Sequence, residues 1–264
     1  PNHTRSYSRF EISRAFVLHK ARVIMVNRKE EQGQEAIDKI KKEAGADAKI
    51  DESRAILGIS RKCVRYSLAF ASGKSASTLY FAVVYTVSTQ QHYLTGVAQL
   101  ILSAGINANQ YGEDADGIDR HFGVNWLGHF YVCNQLWPLL RKTSKMPNTP
   151  APRVVMESSE QHRMAPSNTH FGSMDEINVK EMDGTKLYAR TKLAMILGTK
   201  YGLVERVIKP NGDNIYALAV HPGAVNTAMQ QQWKDAYPGI TGKLLTAAML
   251  AVGRDVEQGS YSAL

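Results

Sequence analysis

Apolar runs of strand length alternate along this chain with segments of helical periodicity. The apolar runs are residues 22–26, 100–102, 153–158 and 214–220. Helical spacing recurs between and before them, as in residues 9–20 and 30–43. Strands separated by helices pair in parallel, with helices covering both faces of the sheet. The sequence therefore predicts one α/β domain over residues 1–264, with three layers doubly wound about a mostly parallel sheet.

The composition disfavours several classes of protein for this chain. Of the 264 residues, 44% are hydrophobic, which is typical of a globular domain and not of a disordered chain. The longest aromatic and aliphatic run, residues 79–87, is far shorter than the ~20 residues that cross a bilayer, so we expect no membrane span. The net charge of +8 leaves a basic polyanion-binding protein as an alternative. The Lys and Arg residues are scattered, however, and no helix interleaves them with aromatics, so we expect no nucleic-acid partner.

The cysteines indicate a reducing compartment. Cys63 and Cys133 fit no metal-binding or redox spacing, so we expect no metal site. No signal-peptide pattern opens the sequence. Both observations favour a cytoplasmic location.

The residues with the clearest chemical pattern are Tyr188 and Lys192. They are four positions apart in a segment of helical pattern, residues 185–208, so they share one helix face. An ammonium group beside a tyrosine favours the phenolate, so we expect a lowered pKa for Tyr188 and acid–base chemistry near neutral pH. Ser159 ends an apolar run 29 residues upstream, and Pro222-Gly223 follows another apolar run downstream.

This ordered set resembles the short-chain dehydrogenase/reductase family. Ala104-Gly105 after the run 100–102 is similar to the end of the family's Asn-Ala-Gly turn, with Ser103 in place of the asparagine. Asn125 matches the family's active-site asparagine. The long polar insertion at residues 160–187 resembles the retinol-dehydrogenase-like and WW-domain-oxidoreductase-like branch, in which it would form part of the substrate wall.

The resemblance implies a Rossmann-like, NAD(P)-binding domain that transfers a hydride between NADP(H) and a small carbonyl or alcohol substrate. Ser159 would polarise the carbonyl and Tyr188 would protonate the developing alkoxide. Lys192 would lower the Tyr188 pKa and hold the nicotinamide ribose, and Asn125 would support a water relay. The resemblance also allows a homo-oligomer.

The implied cofactor contacts form a larger set. They are Arg28, Ala104, Gly105, Tyr188, Lys192, Pro222, Gly223, Val225 and Thr227. Arg28 follows a strand, where a basic residue favours the 2′-phosphate of NADP(H) and an acidic residue favours NAD(H).

The opening of the chain departs from the family, which places a strand and a Gly-x-x-x-Gly-x-Gly loop before its first helix. That loop lets backbone N–H groups approach the cofactor pyrophosphate. The three glycine positions fall on His3, Tyr7 and Arg9. We therefore expect weak NADP(H) binding and a sheet incomplete at both ends, because the family's first and last strands are both missing. A cofactor-free pseudoenzyme or truncated scaffold is the alternative.

Residues 53–99 are atypical for the family. No Asp or Glu occurs from residue 53 to residue 112. Residues 75–87 have strand composition, rich in Val, Tyr and Phe, and one interpretation puts them in the position of the missing central strand. The other interpretation is that the segment is foreign to the family.

Overall fold

A computed structural model describes most of the chain. The described residues are 8–25, 30–52, 82–86, 89–90, 93–94, 96–108, 110–114, 116–223, 225 and 253–264. The helices are α1 (Ser8–Leu18), α2 (Glu30–Ala44), α3 (Arg120–Phe122), α4 (Gly128–Thr143), α5 (Met174–Ile177), α6 (Gly184–Leu197), α7 (Lys209–Asn211) and α8 (Val256–Ser260). The strands are β1 (Arg22–Met25), β2 (Ile50–Glu52), β3 (Ala82–Thr86), β4 (Thr89–Gln90), β5 (Tyr93–Leu94), β6 (Gln99–Leu102), β7 (Arg153–Glu157) and β8 (Tyr216–Val220).

Two long helical segments change their winding. The segment that contains Asn125 starts as α3, widens to a π-helix at Gly123–Leu127 and continues as α4. The segment that contains Tyr188 is α-helical through α6, and then π-helical over Gly198–Ile208. The predicted helix over residues 185–208 is thus confirmed in position, but its second half is π-helical and not α-helical. Within the described ranges, no helix is both long enough and apolar enough to cross a bilayer.

Six strands form one sheet in the order β2-β1-β3-β6-β7-β8. The pairs β1–β2, β6–β7 and β7–β8 are parallel. The four apolar runs predicted to be strands therefore share this sheet, and the prediction of a mostly parallel sheet is confirmed. The observed strands are shorter than some predicted runs, and β8 begins at Tyr216 where residue 214 was expected.

The central position of the sheet is occupied by β3, from the segment that does not resemble the family. This strand lies between β1 and β6 and is antiparallel to both, with Val84 opposite Ile24 on one side and Leu100 on the other. The resemblance assigns this position to the family's first strand. The interpretation that residues 75–87 supply a substitute strand is therefore confirmed for residues 82–86. β3 therefore restores the backbone hydrogen-bond ladder that we expected to be lost at the centre of the sheet. It does so as an antiparallel strand.

Each face of the sheet has its own hydrophobic core. Alternate residues of a strand point to opposite faces, so Val23 and Met25 pack under α1 and α2, whereas Ile24 packs under α4. The first core joins strand residues to Ile12, Val17, Ile37, Ile40 and Ala263. The second joins Leu100, Leu102, Val154 and Met156 to Cys133, Leu136, Trp137 and Leu140. Helix, sheet and helix make the three predicted layers.

Candidate active site

The predicted site residues meet beyond the carboxyl ends of β6 and β7. Ser159 follows β7 after one intervening residue, and Gly105 follows β6. Tyr188 and Lys192 lie on α6, which begins where the Asp183 side chain accepts a hydrogen bond from the Lys186 N–H at 3.1 Å. An aspartate cap satisfies one of the free N–H groups of the first helical turn. In α/β sheets with parallel strands this edge is the usual place for a ligand.

The Ser159 side chain lies close enough to the Tyr188 hydroxyl to influence its pKa. Tyr188 is only 5% exposed. The Ser159 hydroxyl also accepts a hydrogen bond from the Gln161 N–H at 3.3 Å, at the start of the 3-10 helix Glu160–Met164. The two hydroxyl groups that the resemblance assigns to one substrate oxygen therefore lie side by side.

The expectation of a lowered Tyr188 pKa is wrong for this structure. Burial disfavours the phenolate and raises the pKa of Tyr188 well above its usual value. The Ser159 side chain acts in the opposite direction, and the negative charge of Glu157 adds to the rise. Desolvation, which the sequence does not reveal, outweighs the effect expected from the neighbouring ammonium group.

Lys192 is 4% exposed, and its ammonium group bonds to the backbone. Its Nζ donates to the Glu157 carbonyl at 2.6 Å and lies 5.5 Å from the centre of the Tyr188 ring. Burial lowers the pKa of Lys192 to about 8, although the charge of Glu157 opposes this shift. A Cβ atom at Gly105 would lie 3.7 Å from Nζ, so the glycine leaves room beside the ammonium group.

Asn125 joins the loop after β6 to the helix of Tyr188. Its amide donates to the Ile106 carbonyl at 2.9 Å and to the Thr191 hydroxyl at 3.0 Å, and its oxygen accepts from the Ile106 N–H at 2.8 Å. The Thr191 hydroxyl in turn donates to the Tyr188 carbonyl at 2.7 Å. Asn125 lies in the π-helical turn, a feature that is frequent at functional sites. Fully buried and bonded at both ends of its amide, Asn125 is held in one orientation.

The other predicted cofactor residues are only partly described. Ala104 is buried beside Gly105. Pro222 and Gly223 follow β8, and Gly223 has a φ of +83°, which glycine adopts without strain. Val225 is buried and forms a parallel bridge with Arg254.

Some predictions fall outside the described residues. Arg28, Thr227, His3 and Tyr7 are among them. Arg9 lies in the first turn of α1. In the part of the chain that is described, no cluster of three or more His, Cys, Asp or Glu residues is arranged to hold a metal ion.

Two residues near the site were missed by the sequence reasoning. Thr191 is three residues after Tyr188, a helical spacing that places it on the same side as Tyr188. Glu157 is two residues before Ser159, and its charge acts on both Tyr188 and Lys192. Both spacings were available in the sequence, but only the structure reveals what these residues contact.

Comparison with known proteins gives relatives over most of this chain. The WW domain-containing oxidoreductase of Gallus gallus is 28% identical over 229 residues, which are 85% of this chain and 48% of that protein. Human retinol dehydrogenase 14 is 31% identical over 208 residues, 78% of this chain and 55% of that protein. This chain therefore spans about half the length of these two relatives. A comparison with models of protein families finds no match.

Solved structures agree on the fold. The short-chain dehydrogenase from Sphingobium yanoikuyae in complex with NADPH superposes with a TM-score of 0.55 at 17% identity, covering 96% of this chain and 77% of that one. The fold is thus that of short-chain dehydrogenases/reductases. The resemblance to this family, and to its retinol-dehydrogenase-like and WW-domain-oxidoreductase-like branch, is confirmed.

Proposed function

We propose that this chain is an oxidoreductase of the short-chain dehydrogenase/reductase type, which transfers a hydride between NADP(H) and a small carbonyl or alcohol substrate. The observation that carries the proposal is the buried Tyr188 side chain, which shares a helix with Lys192 and has the Ser159 hydroxyl beside its own. Relatives named as oxidoreductases and dehydrogenases support it.

The protonation states favour carbonyl reduction. A raised pKa keeps Tyr188 protonated at neutral pH, so its hydroxyl is ready to give a proton to the substrate oxygen. Ser159 donates to the same oxygen and orients the carbonyl. With a pKa of about 8, Lys192 is mostly protonated at neutral pH and offsets negative charge that develops on that oxygen. The cofactor, when bound, supplies the hydride.

The nicotinamide end of the cofactor fits the residues that are present. Gly105 puts no side chain beside the Lys192 ammonium group, which would hold the ribose, and Asn125 fixes the loop next to it. A lysine ammonium group donates up to three hydrogen bonds, so the bond to the Glu157 carbonyl leaves donors for ribose hydroxyls. This end of the site supports the cofactor assignment.

The pyrophosphate end fits less well. The described residues of α1, Ser8–Leu18, include no glycine in the first turn, where the family brings backbone N–H groups close to phosphate. The central strand β3 runs in the opposite direction to the strand it replaces, so its first residue, Ala82, lies opposite Leu102 at the carboxyl edge of β6. The chain thus enters the sheet at the edge where the family's chain leaves it to form the glycine loop. We propose that NADP(H) binds weakly for this reason.

This strand direction also favours a second candidate function. In this second candidate function the chain is a scaffold. It retains the catalytic side chains but does not turn over substrate, because the cofactor edge of its sheet is rebuilt. Activity measured at high cofactor concentration separates the two candidates.

The test is carbonyl reduction by the purified chain at millimolar NADPH with a panel of short and long aldehydes and ketones. Tyr188→Phe is expected to lower turnover by a factor on the order of 10²–10⁴, the usual contribution of a general acid. The control is Tyr201→Phe, which removes a hydroxyl from an exposed tyrosine of the same helical segment and leaves turnover unchanged. Equal turnover in wild type and Tyr188→Phe would contradict the assigned role, and no turnover in wild type would favour the scaffold.

A further inference from the structure

Arg190 is a buried charged residue that the chemistry above does not use. It lies on α6 two residues after Tyr188 and is 4% exposed. Two residues along an α-helix correspond to a rotation of about 200°, so Arg190 and Tyr188 point in nearly opposite directions. A buried guanidinium is costly unless it is hydrogen-bonded or paired. Its partners therefore show what it stabilises.

The contacts of Arg190 lie in the insertion at residues 160–187. Its Nη2 donates to the backbone carbonyl of Glu176 in α5, and its Nη1 lies 3.7 Å from the Met182 sulfur. The guanidinium carbon is 5.8 Å from the centre of the Phe171 ring, a cation–π contact. One side chain of the catalytic helix thus contacts the insertion at three separated positions.

The insertion is held on its other side by the segment before Asn125. Phe171 stacks on Phe122 with ring centres 5.7 Å apart. The Asn178 side chain donates to the Gly117 carbonyl and accepts from the Asp119 N–H at 2.8 Å. These contacts place the middle of the insertion between α6 and the start of α3.

The charges around Arg190 are consistent with a permanent ion. Burial lowers the pKa of Arg190, and the nearby negative charges of Asp119 and Glu176 oppose this shift. Asp119 is itself buried, where it caps α3 by accepting from two backbone N–H groups. Arg190 therefore remains charged and bound in the folded protein.

Both ends of the insertion border the candidate site. It starts directly after Ser159 and leads into α6 shortly before Tyr188. Arg190 points away from Tyr188, so the middle part acts on the space around these two hydroxyl groups through the insertion and through α6. The contacts of Arg190 connect that middle part directly to the catalytic helix.

We propose that Arg190 is a positioning residue that fixes residues 171–182 against α6, and that the insertion held in this way bounds the substrate pocket and sets which substrates fit. The effect on substrate choice rests on the proposed function. The anchoring of residues 171–182 is a property of the fold and does not depend on it. Arg190 does not take part in the proton transfer from Tyr188.

The test uses Arg190→Met, which keeps the apolar stem, and Arg190→Lys, which keeps the charge without the planar fork that stacks and donates in several directions. The control is Arg206→Met, at an exposed arginine in the same helical segment. Hydrogen exchange is followed in peptides covering residues 171–182 and residues 184–197. Exchange in 171–182 is expected to rise about tenfold in Arg190→Met, with a smaller rise in Arg190→Lys, and to stay unchanged in the control.

Kinetics provide the second readout. In Arg190→Met, KM for a bulky substrate is expected to rise about tenfold, which corresponds to about 1.4 kcal/mol, while kcat for a small aldehyde stays within about twofold. Unchanged exchange in residues 171–182 would overturn the anchoring, whatever the activity. Equal losses of kcat for small and bulky substrates, with faster exchange in residues 184–197, would also overturn the proposal and assign Arg190 to the stability of the helix. If wild type shows no turnover, the proposed function fails, and the exchange experiment still decides the anchoring.

Discussion

Gly198 gives the sharpest test of how the two site helices pack. It lies where α6 becomes π-helical, with ordinary right-handed helical dihedral angles. A Cβ atom at this position would lie 1.8 Å from Cη2 of Trp126 and 2.6 Å from two further ring carbons. Trp126 directly follows Asn125 in the other helical segment. The glycine therefore allows the helix of Tyr188 to approach the helix of Asn125.

The expected magnitude combines two opposing effects. Glycine to alanine within a helix normally stabilises by about 0.5–1 kcal/mol. Forcing an extra methyl group into a packed contact costs about 1–3 kcal/mol. For Gly198→Ala we expect a net destabilisation of about 1–2 kcal/mol, which lowers Tm by about 2–8 °C in a domain of this size.

Gly202→Ala is the matched control. Gly202 lies in the same π-helical segment, and a Cβ atom there would have no neighbour within 4 Å. This variant is expected to be stabilised or unchanged. Urea unfolding of both variants, and of Gly198→Ala combined with Trp126→Leu, measures the coupling between the two positions. The assigned packing is refuted if Gly198→Ala is as stable as Gly202→Ala, or if Trp126→Leu does not relieve the loss.

Two further predictions concern the sheet and the buried lysine. Val84→Pro removes a backbone donor from β3, which pairs with a strand on each side. The variant is expected to lose about 3 kcal/mol of unfolding free energy, measured by urea titration. A loss below about 1 kcal/mol would show that β3 is not central. Burial lowers the Lys192 pKa from its ordinary value of 10.5 to about 8. Between these two values the unfolded chain binds more protons than the folded chain, so the unfolding free energy rises with pH. Between pH 8 and pH 10 the unfolding free energy of wild type should therefore rise by about 2 kcal/mol relative to that of Lys192→Met. The raised pKa of Tyr188 acts in the opposite direction only at higher pH. A constant difference between the two proteins over this range would show that Lys192 is not buried as a cation.

The parts of the fold that were predictable are those set by local patterns. Apolar runs and helical spacing located β1, β6, β7 and β8, because burial on a sheet face or helix face requires a fixed period. Tyr188 and Lys192 could be placed on one face from their spacing alone, because residues four apart share a face of any helix. The meeting of these residues with Ser159 and Asn125 followed from the family resemblance. The hydrogen bond of Asn125 to Thr191 on the same helix and the influence of Ser159 on the Tyr188 pKa agree with it.

What was not predictable depends on non-local contacts. The composition of residues 75–87 indicated a strand but gave neither its partners nor its direction, which depend on pairing across the whole sheet. The pKa of Tyr188 was predicted in the wrong direction, because the degree of burial follows from the packing of α6 and not from its sequence. The anchoring by Arg190 depends on where the insertion folds back, and no spacing along the chain indicates that.

We propose that the cluster around Tyr188 is intact and stands beside an altered pyrophosphate site. The most direct test of this proposal is to compare the binding of NADPH with that of reduced nicotinamide mononucleotide, which retains the nicotinamide ribose and lacks the pyrophosphate bridge and the adenosine. Glycine-loop N–H groups would add several charge-assisted hydrogen bonds of about 1.5–3 kcal/mol each to the larger molecule. Without them, calorimetric titration should give dissociation constants in the millimolar range that agree within about tenfold. Micromolar NADPH binding, about a thousandfold or more tighter than the mononucleotide, would contradict the proposal.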